Sequence, residues 1–403
     1  MEGGWNKVAV RIWRFWLEDI EIYELASRVL GDITNDLNET TYVKVGGELT
    51  FHWRTEKIFG AFASTLSEVG KPPNHRITMH YEFVRQVWRD AEDLCKFLRS
   101  IPKDSDTDKL YDFYGDRIKL PKCFNDLELV QNMFVATITW VYFHEIGHLM
   151  QEHGVIRAEF GDAHGDAAQM TDVHDFEASN DKRLVGRDAL VSHVTELAAD
   201  FEATHFYVFE LLRHVTNSDY VGDEQRNEVL AGLMYLMVCG LSLLFLRFNG
   251  NLPILPTAVI EGSHPNPLTR LEINVPQIYE NLDLIRKLGV VNHSIDRKQL
   301  VFISGKAALS ATLYWSMTKT TAQKFDDRFL LKGLLSSSAV LQYLQPIVRC
   351  WDEMSPRINE IRRFGSPLGL MNFTDLFRTR IAGVITWGKG PEGKTSSSSL
   401  PDA

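Results

Sequence analysis

The residues His144-Glu145-Ile146-Gly147-His148 form an HExxH string. Residues four apart lie on one face of an α-helix, so both imidazoles reach toward a single ion. Glu145 projects near the same pole, where a carboxylate can hold a water and take its proton. Zn2+ accepts imidazole and carboxylate ligands in a tetrahedral arrangement, and a catalytic site keeps one position open. The flanks are apolar: Met133 to Val141, Tyr142 and Phe143 come before the string, and Leu149 and Met150 follow it. Burying two histidines and a glutamate without partners costs on the order of several kcal/mol. The spacing therefore favours a metal site over an ordinary core helix.

Catalysis requires a third ligand. The pattern HExxHxxGxxH would place Gly at 151 and His at 154, where this chain has Gln151 and Gly154. His153 falls one residue short and reads as a cation near a helix C-terminus, where the dipole favours it. A second helical segment, Thr195-Glu196-Leu197-Ala198-Ala199-Asp200-Phe201-Glu202-Ala203, is the better source. Glu196 and Asp200 share a face, and Ala198, Ala199 and Ala203 allow close approach of a neighbouring helix. Glu196 is the expected ligand. Asp200 is the expected acceptor for a ligating imidazole's second nitrogen.

These residues need elements to position them. Helical spacing covers Trp5–Leu30, Phe83–Leu98, about Asp126–His153 with Asn125 or Asp126 as cap and Gly154 as stop, Asp188–Val215, Val275–Leu288 and Phe325–Phe364. Tyr42–Val45, Gly46-Gly47 and Glu48–Trp53 read as a hairpin, and Ile77–Tyr81 as a further strand. Pro102–Lys109 reads as a linker, and the tail from residue 387 as disordered. Arg157–Arg187 reads as a long loop, rich in Asp and His, that could gate substrate. A second metal site using Asp162, His164, Asp166, Asp172, His174 and Asp175 is the lesser reading of that loop.

The expected fold is therefore α+β and predominantly helical, a zincin-like core with a small N-terminal sheet. Its divisions are 1–110 as an N-terminal α/β region, 111–290 as the catalytic region, 291–386 as a C-terminal helical region, and 387–403 as the tail.

Composition narrows the class. Of 403 residues, 44% are hydrophobic and 24% charged, which is ordinary globular usage. A net charge of −10 does not suit non-specific nucleic-acid binding. The four cysteines form no CxxC pair, as in a reduced cytoplasmic protein. Val229–Leu246 lacks charges and is about 27 Å long as a helix, just enough for a bilayer.

HEIGH followed by ELAADFEA resembles the gluzincin metallopeptidases, whose third ligand is the Glu of an ExxAD-type segment. Ser263-His264-Pro265-Asn266-Pro267-Leu268-Thr269-Arg270-Leu271 is similar to the HP…R segment of the CAAX-prenyl-protease and HtpX-type members. The resemblance covers residues 130–272. It implies that His264 faces the zinc and stabilises the oxyanion, and that Arg270 anchors its segment. A single membrane span at 229–246 would put Glu196 and His264 on opposite sides of a bilayer, so a buried helix is expected there. A soluble gluzincin is, more loosely, similar to the Lit-type phage-exclusion peptidases.

The expected activity is cytoplasmic, zinc-dependent endoproteolysis of a protein or peptide substrate, with Glu145 as general base and a role in defence against phage. An activating or inhibitory partner protein would restrain it. The alternatives are a non-catalytic zinc-binding regulatory protein and a membrane-associated protease.

Overall fold

The computed structural model describes residues 17–387, apart from 69, 163–171, 175–183, 218–222, 253, 255–256, 290–292, 320–336 and 366–368. The chain is mostly helical with one small sheet, as its patterning predicts. Helix α1 (Asp19–Thr40) leads through a 3-10 turn (Tyr42–Val45) to β1 (Glu48–Arg54), β2 (Ala61–Thr65) and β3 (Asn74–His80). Helix α2 (Tyr81–Ser100) and the single turn α3 (Asp106–Lys109) precede α4 (Asp126–Met150), which carries HExxH, and α5 (His153–Phe160). A short β4 (Asp172–His174) comes before α6 (Gly186–Asn217), α7 (Asp223–Asn249), α8 (Pro267–Lys287), α9 (Arg297–Thr318), α10 (Ser338–Ile361) and α11 (Asp375–Trp387).

The sheet runs β1-β3-β2-β4, with β1 parallel to β3 and the other pairs antiparallel. The expected hairpin at Gly46-Gly47 does not form. Tyr42–Val45 is a 3-10 turn, and β1 pairs with β3 instead. The two glycines serve other needs. Gly46 caps the turn in the left-handed region (φ 65°), and a Cβ on Gly47 would lie 2.4 Å from the Pro73 carbonyl oxygen.

Three further expectations are corrected. The polar stretch Pro102–Lys109 is folded: Ser105 caps α3, and Asp108 is buried against Lys119. Gly154 lies inside α5, and the motif helix stops earlier, at Met150, before Glu152 takes a left-handed conformation. Arg157 and Arg187 are both helical, so the segment between α5 and α6 is shorter than the expected loop, and most of it lies outside the described residues. So do the proposed second metal cluster, apart from Asp162 and the backbone of β4, and the expected helix before residue 17. Part of the stretch from Phe325 to Ser337, and the tail after Trp387, lie outside them as well.

Helix α4 starts with a capping box in which the Asn125 side chain accepts from Glu128 N and Glu128 reaches back to Asn125 N. It then becomes buried on every side, as a helix apolar all round must. Tyr142 ties it to α1 through a 2.6 Å hydrogen bond with Thr34 and packs on Phe51 of β1. Helix α7 contains the membrane-length apolar run, and 94% of that run is buried inside the fold. Arg247, near the end of α7, donates two 2.6 Å hydrogen bonds to Asp90 of α2.

Three of the buried histidines have strongly lowered proton affinity. Desolvation takes His75 from 6.5 to about 3, with the charge of Arg363 adding to it. Desolvation takes His193 to about 4, aided by His264, and His205 also to about 4. The unfolded chain binds these protons near pH 6.5 and the folded chain only well below it. Their contribution to stability is thus complete above pH 6.5 and is lost as pH falls toward 4. At pH 5 the three together give a slope of roughly 4 kcal/mol per pH unit. Denaturant titrations should show stability dropping much more steeply between pH 6 and 5 than between 8 and 7, and equal slopes would contradict this assignment.

Candidate metal centre

Helices α4 and α6 meet at backbone contact. A Cβ on Gly147 would lie 3.0 Å from Ala199 Cα, 3.1 Å from Ala199 O and 3.2 Å from Glu202 Cβ. Ala198, Ala199 and Ala203 are fully buried, which confirms the close approach their sizes suggest. The glycine of HEIGH completes that contact from the other side.

This contact brings His144, His148 and Glu196 together. Their nearest ligand atoms all lie within 4.8 Å of one another, and all three side chains are buried. His144 Nε2 and His148 Nε2 are 3.1 Å apart. Glu196 Oε2 is 3.4 Å from the first, and Glu196 Oε1 is 3.4 Å from the second. Ligand atoms about 2.0–2.2 Å from a tetrahedral zinc stand about 3.3–3.5 Å apart, which the two histidine–glutamate spacings match and the histidine pair falls slightly inside.

The hydrogen bonds around the cluster agree. His144 Nδ1 lies 2.9 Å from Asp200 Oδ1, and a carboxylate only accepts, so a proton sits on Nδ1 and the neutral ring keeps its lone pair on Nε2. Trp140 stacks on the same ring at 5.6 Å and fixes its plane. Asp200 in turn accepts from Arg270 Nε at 2.9 Å, Arg270 Nη2 at 2.6 Å and Asn274 Nδ2 at 3.0 Å. Burial alone would raise the proton affinity of Asp200. The charge of Arg270 and the hydrogen bonds from Arg270 and His144 outweigh it and hold the carboxyl well below its usual range. Ring nitrogens and carboxylate oxygens therefore converge on one point, an arrangement stabilised by a cation.

His264 reaches the same centre. Its Nε2 is 3.8 Å from Glu196 Oε2, and its side chain is 24% exposed while the three ligands are buried, so it lies on the solvent-facing flank of the cluster. Ser263 Oγ, 2.7 Å from His264 Nδ1, orients the ring, and the Ser263 carbonyl accepts from Ser192 of α6. Asn266 then caps α8, accepting from Leu268 N and Thr269 N, with Pro267 at the first helical position. That helix carries Arg270 to Asp200. Glu145 is wholly buried on α4 between the two histidines of the motif.

Two features escape the sequence. Arg157 of α5 donates from Nη2 to Glu196 Oε1 at 2.8 Å and from Nε to Thr195 Oγ1 at 2.8 Å. Nothing in its local pattern distinguishes it from other charged residues. His153 does not sit at a helix C-terminus as expected: it opens α5, is fully buried, and its Nδ1 is 2.9 Å from His148 Nδ1. Neither a scan against protein-family models nor searches of curated proteins and of solved structures finds a match to this chain.

The helix contact sets the donor spacing, so Gly147→Ala should separate α4 from α6 by a few tenths of an ångström. We expect a loss of about 1–3 kcal/mol in stability and weaker zinc binding, read by thermal melting and chelator competition. A variant as stable and as tight as the wild type would show that the contact does not set the site.

Proposed function

We propose that the chain is a zinc-dependent endopeptidase, with His144, His148 and Glu196 as ligands. The observation that carries this reading is the convergence of two imidazole nitrogens and a carboxylate at tetrahedral spacing, with Asp200 holding one imidazole in its ligating tautomer. Zinc held there supplies a Lewis acid that polarises a substrate carbonyl and makes water acidic enough to attack at neutral pH.

The chain's own residues do the rest. Glu145 takes the proton of the attacking water on its carboxylate and passes it to the leaving amine. His264, on the solvent-facing flank, donates a hydrogen bond to the oxygen on which negative charge develops. Arg270 anchors Asp200, and Arg157 holds Glu196 from the flank. The substrate class is a protein or peptide.

Glu196 lies before α7 and His264 after it, yet the two are 3.8 Å apart. A site that uses both is incompatible with a single bilayer crossing by α7. This supports the proposal that the site works on one side of any membrane; a cytoplasmic location is proposed with it, on the cysteine pattern of the sequence. Restraint by a partner protein belongs to the same proposal, since an unrestrained endopeptidase would harm its own cell, and a part in phage defence rests on the likeness to the Lit-type peptidases.

Glu145→Gln separates a peptidase from a zinc-binding module. Zinc stoichiometry should stay at one per chain, while cleavage, followed by comparing the proteomes of cells expressing either form, should fall by about 10²–10⁴-fold. Undiminished cleavage would remove Glu145 as the base. Zinc binding without any cleavage in the wild type would leave the chain a non-catalytic zinc protein.

A further inference from the structure

We propose that His153 is a positioning residue of the metal centre, which fixes the tautomer of His148 and turns its Nε2 lone pair toward His144 and Glu196. The inference rests on the metal-centre reading above and extends it to a residue outside the HExxH motif.

The hydrogen-bond chain starts at a carboxylate. Gln151 Nε2 donates to Glu202 Oε1 at 3.0 Å, so the amide oxygen of Gln151 faces the other way. That oxygen lies 3.2 Å from His153 Nε2 and can only accept, which places the His153 proton on Nε2. His153 Nδ1 then carries a lone pair, 2.9 Å from His148 Nδ1. The shared hydrogen must come from His148. With Nδ1 protonated, the neutral His148 ring has its lone pair on Nε2, the atom 3.1 Å from His144 Nε2 and 3.4 Å from Glu196 Oε1. The two rings stand at 79° with centroids 4.9 Å apart.

The turn after α4 makes this contact. In a continued helix, position 153 would lie about 140° around the axis from His148. Instead Glu152 adopts φ 51° and ψ 43°, a left-handed conformation that costs a non-glycine residue about 1–3 kcal/mol. Arg363 holds the turn from outside, donating from Nε to Glu152 Oε1 at 2.5 Å and from its backbone N to Met150 O at 2.9 Å. Gln151 and His153 both end up fully buried.

The two imidazoles thus have different supports. His144 bonds a carboxylate directly, and His148 reaches one through His153 and Gln151. Metal-ligating histidines depend on such partners, whose loss weakens binding about 10–100-fold.

Two variants and one spectrum test the proposal. In His153→Asn the Oδ1 acceptor occupies the place of the ring Nδ1, whereas His153→Leu fills similar space with no acceptor. By competition with a chromophoric chelator, zinc binding should weaken about 10–100-fold in His153→Leu and stay within about threefold of the wild type in His153→Asn. Equal affinity in His153→Leu overturns the proposal, as does a His153→Asn form as weak as His153→Leu. Proton–nitrogen correlation spectra of the metal-stripped wild type, assigned by the signal lost in His148→Asn, should show His148 protonated at Nδ1. Protonation at Nε2 would overturn the proposal without any variant. A wild type protonated at Nδ1 that binds no zinc would defeat the metal-centre reading and uphold the relay.

Discussion

The Gly147–Ala199 contact brings the backbones of α4 and α6 together, and the spacing of the metal-centre side chains depends on it. A helix pair at ordinary separation, about 8–10 Å between axes, would be held apart by larger side chains. Here glycine faces alanine, so the short Glu196 carboxylate reaches the paired imidazoles. The sheet, the capping box of α4 and the hydrogen bond from Tyr142 to Thr34 keep α4 in place. Helices α7 and α8 enclose the opposite side.

The same closeness concentrates charge where water is scarce. Glu145, Glu196, Asp200 and Arg270 are all buried. Removing one partner from such a set costs about 3–5 kcal/mol, because it strands the other charge. The fold answers with directional bonds. Arg270 grips Asp200 through two nitrogens, and Arg157 and Thr195 flank Glu196. Arg270 also lies 5.2 Å over the ring of Phe245, which joins α7 to the cluster. Groups forced together in this way are typical of sites that do chemistry.

Much of the centre is legible in the sequence, because its key residues sit at helical spacings on strongly patterned segments. HExxH needs only a helix, and Glu196 with Asp200 needs a second helix lined with alanine. His264 and Arg270 were reachable through a resemblance, and the structure brings both to the cluster. Arg157 and His153 were not, since each depends on the left-handed turn at Glu152 that reverses the chain after α4. No local residue preference announces a left-handed glutamate. The mistaken hairpin has a similar cause. Gly46-Gly47 carries the local signature of a tight turn, but the choice between antiparallel and parallel partners is made by β3, more than twenty residues on. Helix α7 shows the opposite limit, where composition alone does not separate a core helix from a membrane span and packing does.

The most direct test of the account is the position of a metal in crystals of the zinc-loaded protein, located by anomalous scattering on either side of the zinc absorption edge. The account predicts one strong peak about 2.0–2.2 Å from Nε2 of His144, Nε2 of His148 and an oxygen of Glu196. A peak held by other residues, or a Glu196 carboxylate turned away from the histidine-bound ion, would contradict it.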